Sequence, residues 1–443
     1  MRQPMERYIN VNDTLREGDW ESVMAAIDLA CRDGCRRVKI PRYNGRTGGT
    51  VWSLTHAITL PHDFTLLLDN CYLEQAVGSY ENLIANEHIY DGDYLMDPDH
   101  RVRNIKIIGE GHAVLCGGVH NHLLEKTVKH YGLPSTMQLN CLLRFWNVEG
   151  LEVRNLHLKD QRYWAVVHLA VSHAVYKNIH LEAIPHVPNM DGIDLRTGCH
   201  DFSFENITGK TGDDVIAFTA LSGDGRKVPA GMDGDIHHVK IRNLKAASHR
   251  NDLVRFLNHD GHKEYAFELD TLMDSSDRNS YQPGIGVNVG SPFYYKKFPA
   301  EPGDSRDILV RNLYTRAYAC MRICRVCEDT LFYNVHAFDS CRYLIDAETD
   351  GLRVKNLRFA HLYYSFNQPT YPNGETVERE KFGGCLLDLQ NTSGDIRIAG
   401  LEAGPVGTGF RVSGGLRLDI SGLQEEDTVR PLEKDDLSQV NFV

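Results

Sequence analysis

The sequence predicts an all-β protein, a single-stranded right-handed parallel β-helix with an N-terminal capping helix. Three observations predict it. A phrase of the form apolar-x-Asn-apolar recurs, as in "VRNI", "VRNL", "YKNI", "FENI", "IRNL", "VRNL", "FYNV" and "VKNL". Its asparagines step by 23 residues (178−155) and by 22 (334−312 and 356−334), the period of a stacked repeat. Between them lie short alternating runs such as "GIDLR", "DVIAF" and "YLIDA", which have the two-residue period of strands. Near the start, "DWESVMAAIDLACRDG" places Val23, Ile27, Ala30 and Cys31 on one helical stripe and stops at Gly34.

Each element follows in chain order. The helix covers the open end of the first coil, which would otherwise present unpaired strand edges, and leads into the strand "RRVKI". Residues 1–45 are therefore read as a cap and 46–425 as the solenoid body. Each coil contributes a few short strands, with an asparagine at one turn whose side chain can bond nearby backbone. Longer steps, such as 243−206 = 37, mark loops inserted at fixed turns, and such insertions gather on one face. From 426 the polar segment "EDTVRPLEKDDLSQ" is expected to leave the solenoid as a tail.

Composition narrows the function. The chain has 443 residues, 42% hydrophobic and 24% charged, ordinary for a folded protein. A net charge of −12 argues against nucleic acid as partner. No apolar run is long enough for a membrane span, so no membrane partner is expected. The first residues, "MRQPMERYIN", lack an apolar leader segment, so the chain as given is read as cytoplasmic, and as secreted if a leader was removed. Eleven cysteines without metal-type spacing point to reduced thiols in a core. The histidines of "HNHLLEKTVKHYG" have no metal-ligand spacing either, and no metal or cofactor is expected. The oligomeric state stays open.

Carboxylates concentrate in "NMDGIDL" and "GDDVIAF", which hold Asp191, Asp213 and Asp214. If the two phrases are equivalent strands of consecutive coils, the aspartates stack about 4.8 Å apart along the solenoid axis. Carboxylates that close repel, and one should hold a proton at neutral pH. Glycosidic bonds are cut by such pairs, one acid protonating the leaving oxygen while another carboxylate activates water or attacks.

These residues resemble family 28 of the glycoside hydrolases, the polygalacturonase-like enzymes of the pectin-lyase-like β-helix superfamily. The family pattern runs Asn-x-Asp, Gly-Asp-Asp, Gly-His-Gly, Arg-Ile-Lys. Asn189 and Asp191 match the first motif, and Gly212, Asp213 and Asp214 the second, 213−191 = 22 residues on. "YWAVVH" resembles the family's aromatic-to-histidine phrase. The resemblance implies an inverting hydrolase without cofactor, acting on a pectic or related plant polysaccharide or oligosaccharide. It makes Asp214 the general acid, Asp191 and Asp213 the water-activating carboxylates, and His249 an orienting group. Asn189 is an expected sugar contact, Trp164 with Tyr163 is either a sugar-stacking platform or packing inside a coil, and His168 supports the site or the core.

Two motifs depart from the family. "SHR" at 248–250 keeps His249 without flanking glycines, and "GVNVGS" at 286–291 stands where Arg-Ile-Lys would fall. Arg250, Arg255, Lys296 with Lys297, or Arg322 are the candidates to replace those cations. Otherwise a neutral or deoxy sugar occupies that position. Loops at 219–236, 258–264 and 291–306 would block one end of a groove, which suits exo action. Two alternatives stay open: a Ca²⁺-dependent polysaccharide lyase, which also wants clustered carboxylates, and a non-catalytic carbohydrate-binding β-helix.

Overall fold

A computed structural model describes residues 7–79, 81–118, 141–184, 189–220, 228–249, 251–258, 261–275, 284–290, 301, 303–324, 326–339, 343–347, 352–366, 385–403, 408–425 and 433–443. The fold is the right-handed parallel β-helix. Its residues group into two compact units, Met1–Gly212 with Gly223–Gly234, and Asp213–Ser222 with Asp235–Val443.

The helix Asp19–Arg32 opens the first unit and buries Val23, Ala26, Ile27 and Ala30, while Cys31 stays half-buried at the stripe's edge. The strand Arg37–Pro41 follows and pairs in parallel with Phe64–Asp69. That strand pairs with Val102–Glu110, which pairs with Leu143–Lys159, then Val166–Glu182, then His200–Thr211. Each strand lies on its predecessor in register, so one coil's apolar positions sit above the next coil's.

Asp19 fastens the cap. Its buried carboxylate pairs with Arg46 Nε at 2.8 Å and accepts from Asn44 Nδ2 at 2.9 Å and the Ser53 backbone N–H at 2.8 Å. Asp19→Ala leaves buried donors without acceptors, each costing about 1–3 kcal/mol. A urea midpoint lowered by that amount is the expected result; an unchanged midpoint would show the cap is held otherwise.

The recurring asparagines explain the coil period. Asn104, Asn155, Asn178, Asn206, Asn243, Asn312, Asn334 and Asn356 all have φ between 51° and 58°, the left-handed region that asparagine tolerates better than other side chains. Register places Asn155, Asn178 and Asn206 at one bend in the first unit, and Asn243, Asn312 and Asn334 at one bend in the second, whereas Asn104 and Asn356 lie at a different bend, level with Gly150 and Asp329. Their amides bond mainly to asparagine and aspartate side chains of a neighbouring coil rather than to backbone. Asn178 donates to Asn155 Oδ1 at 2.8 Å, Asn206 to Asn178 at 2.9 Å, and Asn334 to Asn312 at 2.6 Å.

The second unit repeats the scheme along two ladders. One runs from Ile236–Ser248 through Glu264–Asp274 and Ser305–Thr315 to Leu331–Asp339. The other runs from Ile216–Ala220 through Val254–Asn258, Ile285–Val289 and Ala319–Ile323 to Tyr343–Asp346. Phe218, Phe256 and Phe267 fill the interior, with ring centroids 4.8–5.0 Å apart.

The C-terminal residues correct the expected tail. Gln439–Phe442 pairs with Leu416–Glu425, and Glu433 with Arg411, so 433–443 add rungs to the solenoid. These rungs bury almost nothing, Val440 alone of Gln439–Phe442 being half-buried, and are added by backbone pairing with the preceding strands. The described cysteines are free thiols, eight of them buried, as expected of a reduced core.

Candidate active site

In the second unit the site grows from one strand position. Val254 and Phe256 point into the coil, so Arg255 between them faces outward. Register carries this outward position from Ala217 to Arg255, Asn288, Arg322, Asp346, Asp388 and Arg411. The result is a polar row of mixed charge.

Asp213 and Asp214 precede the strand Ile216–Ala220 and differ sharply in environment. Asp214 is fully buried. Its Oδ1 accepts the Asp252 backbone N–H at 3.0 Å, and its Oδ2 lies 2.8 Å from Arg255 Nη1, an ion contact without the alignment of a hydrogen bond. Asp213 is half-buried. Its Oδ1 accepts the Asp214 backbone N–H at 3.1 Å and the amide of Asn251. Ser248 Oγ donates to the Asp213 carbonyl at 2.8 Å and accepts the Asn251 N–H at 2.9 Å, which fixes the bend holding exposed His249.

Asp252 joins them as a carboxylate that motif matching overlooks. It is buried, and its Oδ2 accepts from Asn288 Nδ2 at 2.7 Å. The signal was present, because "NDLVRF" repeats the spacing of "DDVIAF" one expanded coil later, 252−214 = 38.

Electrostatics follow from burial. Burial pushes the Asp214 carboxyl well above the carboxylate range; Arg255 opposes this, and the charges of Asp252 and Asp213 add to it. Burial likewise raises Asp252 to about 6, against the pull of the Asn288 hydrogen bond, Arg255 and Arg322. Two buried carboxyls lie in the field of one guanidinium, an arrangement that favours the protonated form of the pair over that of free carboxyls.

The other cation candidates divide. Arg322 is bound by Asp346, with Nη2 and Nε at 2.7 and 2.8 Å from Oδ2, and Arg255 by Asp214. Both sit on the polar row with their side chains 19% exposed. Arg250, Lys296 and Lys297 lie outside the described residues.

In the first unit Asp191 is buried and directly precedes the strand Ile193–Arg196. Its carbonyl accepts from Gln161 Nε2 and from the Ala165 N–H, both at 3.0 Å. Asn189 is half-buried with φ 61°.

Two candidates for sugar contact belong to the core. His168 is fully buried: Nδ1–H donates to the Asp194 carbonyl at 2.9 Å, and Nε2 accepts from the Tyr176 hydroxyl at 2.6 Å. Burial lowers its pKa to about 4, so it is a neutral core histidine. Trp164 is 3% exposed, with the Arg196 guanidinium 3.9 Å from its ring centre. That ring face is occupied by a cation, not offered to a sugar.

Comparison with known proteins agrees at the level of fold. No family model matches the chain, and no curated protein matches its sequence. The chain is similar in structure to the family 28 exopolygalacturonase of Yersinia enterocolitica, with TM-score 0.55 and 15% identity over 98% of this chain and 78% of that one. It is also similar to PfbA, a surface adhesin of Streptococcus pneumoniae, with TM-score 0.50 and 12% identity over 98% and 91%.

Proposed function

We propose that the chain is a glycoside hydrolase that cleaves a pectic or related plant polysaccharide or oligosaccharide with inversion. The observation that carries this reading is the aspartate group itself. A half-buried carboxyl, Asp213, is followed in the chain by a buried carboxyl of raised pKa, Asp214, and tied through Asn251 to the strand of Asp252. A purely structural role would not need two buried carboxyls competing for one arginine. The likeness to an exopolygalacturonase supports the reading in fold alone.

Geometry changes the roles expected from motif order. Asp214 has no exposed surface and both its oxygens are engaged, so it does not reach a glycosidic oxygen. Asp213 takes its place at the sugar, donating the proton as the bond to the leaving oxygen breaks. Water adds to the anomeric carbon from the opposite side and loses its proton to a carboxylate. Asp214 and Asp252 set the field behind Asp213, and exposed His249 orients a sugar hydroxyl.

Pectic oligosaccharides incubated with the protein, with products followed by mass, test the reading. Products heavier than the cleaved bond by one water are expected. Unsaturated, ultraviolet-absorbing products lost on chelation would identify a lyase instead. A second reading, a non-catalytic carbohydrate-binding β-helix, is favoured by the likeness to the adhesin; binding without any product would establish it. Exo action is part of the proposal, and rapid viscosity loss of a long polymer with few new reducing ends would refute it.

A further inference from the structure

The first unit carries a second cluster of polar side chains, apart from the aspartates. His157 and His180 are register partners on the strands Leu143–Lys159 and Val166–Glu182, and Lys159 and Glu182 pair two residues on. Residues two apart share a face. His157, His180 and Glu182 each direct one donor atom to a common point, all three atoms within 4.8 Å of one another. His157 Nε2 lies 2.7 Å from Glu182 Oε2, while Lys159 Nζ holds Glu182 Oε1 at 2.9 Å.

We propose that His157, His180 and Glu182 bind a divalent transition-metal ion of the zinc class, clamping two neighbouring coils. The second ring nitrogens support it independently of the cluster. His180 Nδ1 lies 2.9 Å from Thr208 Oγ1, and His157 Nδ1 lies 3.4 Å from His112 Nε2. A ligating imidazole donates its other N–H to such an acceptor, which fixes the tautomer and turns the remaining lone pair outward. Thr208 and His112 do this for both rings, leaving Nε2 of each for the ion. Two imidazoles and one carboxylate suit zinc, copper, nickel or cobalt rather than calcium or magnesium. Three protein ligands leave a fourth tetrahedral position to water. Modest side-chain rotations bring the donors to the required distances of about 2.0–2.2 Å.

Motif reading misses this site because its histidines are separated by one coil, 180−157 = 23 residues, and no short spacing betrays them. Lys159 supplies a test of sign. Its ammonium competes with a cation for Glu182, so removing it favours the ion.

The full chain, first dialysed against a chelator, is titrated with Zn²⁺ by calorimetry and with Co²⁺ by visible absorption. One saturable equivalent is expected. His157→Gln and His180→Gln each weaken it by at least about 100-fold, and Thr208→Val by about tenfold. Lys159→Met tightens it, a gain that misfolding cannot imitate. The proposal is overturned if no saturable binding occurs or if both histidine variants bind as the parent does. It is also overturned if Lys159→Met fails to tighten binding, or if the cobalt complex shows a thiolate charge-transfer band that places the ion on cysteine.

Discussion

Asp213→Asn lowers turnover of pectic oligosaccharides by about 10²–10⁴-fold, the loss that follows removal of a positioned proton donor. The substitution keeps the side chain's shape and an oxygen able to accept from the Asp214 N–H and from Asn251. The fold is therefore expected to survive, and the loss falls on turnover rather than on substrate binding. A glycoside whose leaving group needs no proton should lose far less. Steady-state kinetics on both substrates decide it. Near-normal turnover by Asp213→Asn on natural oligosaccharides would remove Asp213 from the mechanism and place the proton donor on another residue.

Asp252→Asn carries the second large effect, and its sign depends on pH. Asp252 sits behind Asp213 and Asp214, faced also by Asn288, Arg255 and Arg322, and burial lifts it from 3.8 to about 6. A folded pKa above the unfolded one means that the folded state binds the proton more tightly. Stability from this group is then complete below about 3.8 and is lost as pH rises through about 6. Over that window the loss is on the order of 3 kcal/mol, at 1.36 kcal/mol per unit. Asparagine cannot ionise, yet its oxygen still accepts from Asn288. The variant should therefore equal or fall below the parent at pH 4 and exceed it by roughly 1–3 kcal/mol at pH 8. Urea midpoints at both pH values provide the comparison. Equal destabilisation at both would show that Asp252 is ionised throughout and held by its neighbours.

The fold was legible because a solenoid writes its period into the chain. The asparagines could be read as turn markers since few other side chains accept φ near 55°, and the structure gives each of them that left-handed conformation. Their mutual bonding was not legible, because it depends on which rungs lie in contact. Asp213 and Asp214 stood out by motif, but they lie in the bend before a strand, where no alternation says which one faces solvent. His168 and Trp164 could not be placed by sequence, because alternation sets two faces without labelling the interior. Asp252, His157 and His180 were hidden by distance along the chain, since side chains one coil apart are neighbours only after stacking. The polar C-terminus misled because backbone pairing onto a preceding strand does not require apolar side chains.

The central claim, hydrolysis with inversion by an aspartate group, is tested most directly by the anomeric configuration of the first product. Proton NMR of a pectic oligosaccharide of known linkage, recorded in the first minutes before mutarotation, reads it. The account predicts a new reducing end of configuration opposite to the bond cleaved, formed by the parent protein and absent with Asp213→Asn. A first product that retains the configuration, or one formed equally by Asp213→Asn, would contradict it.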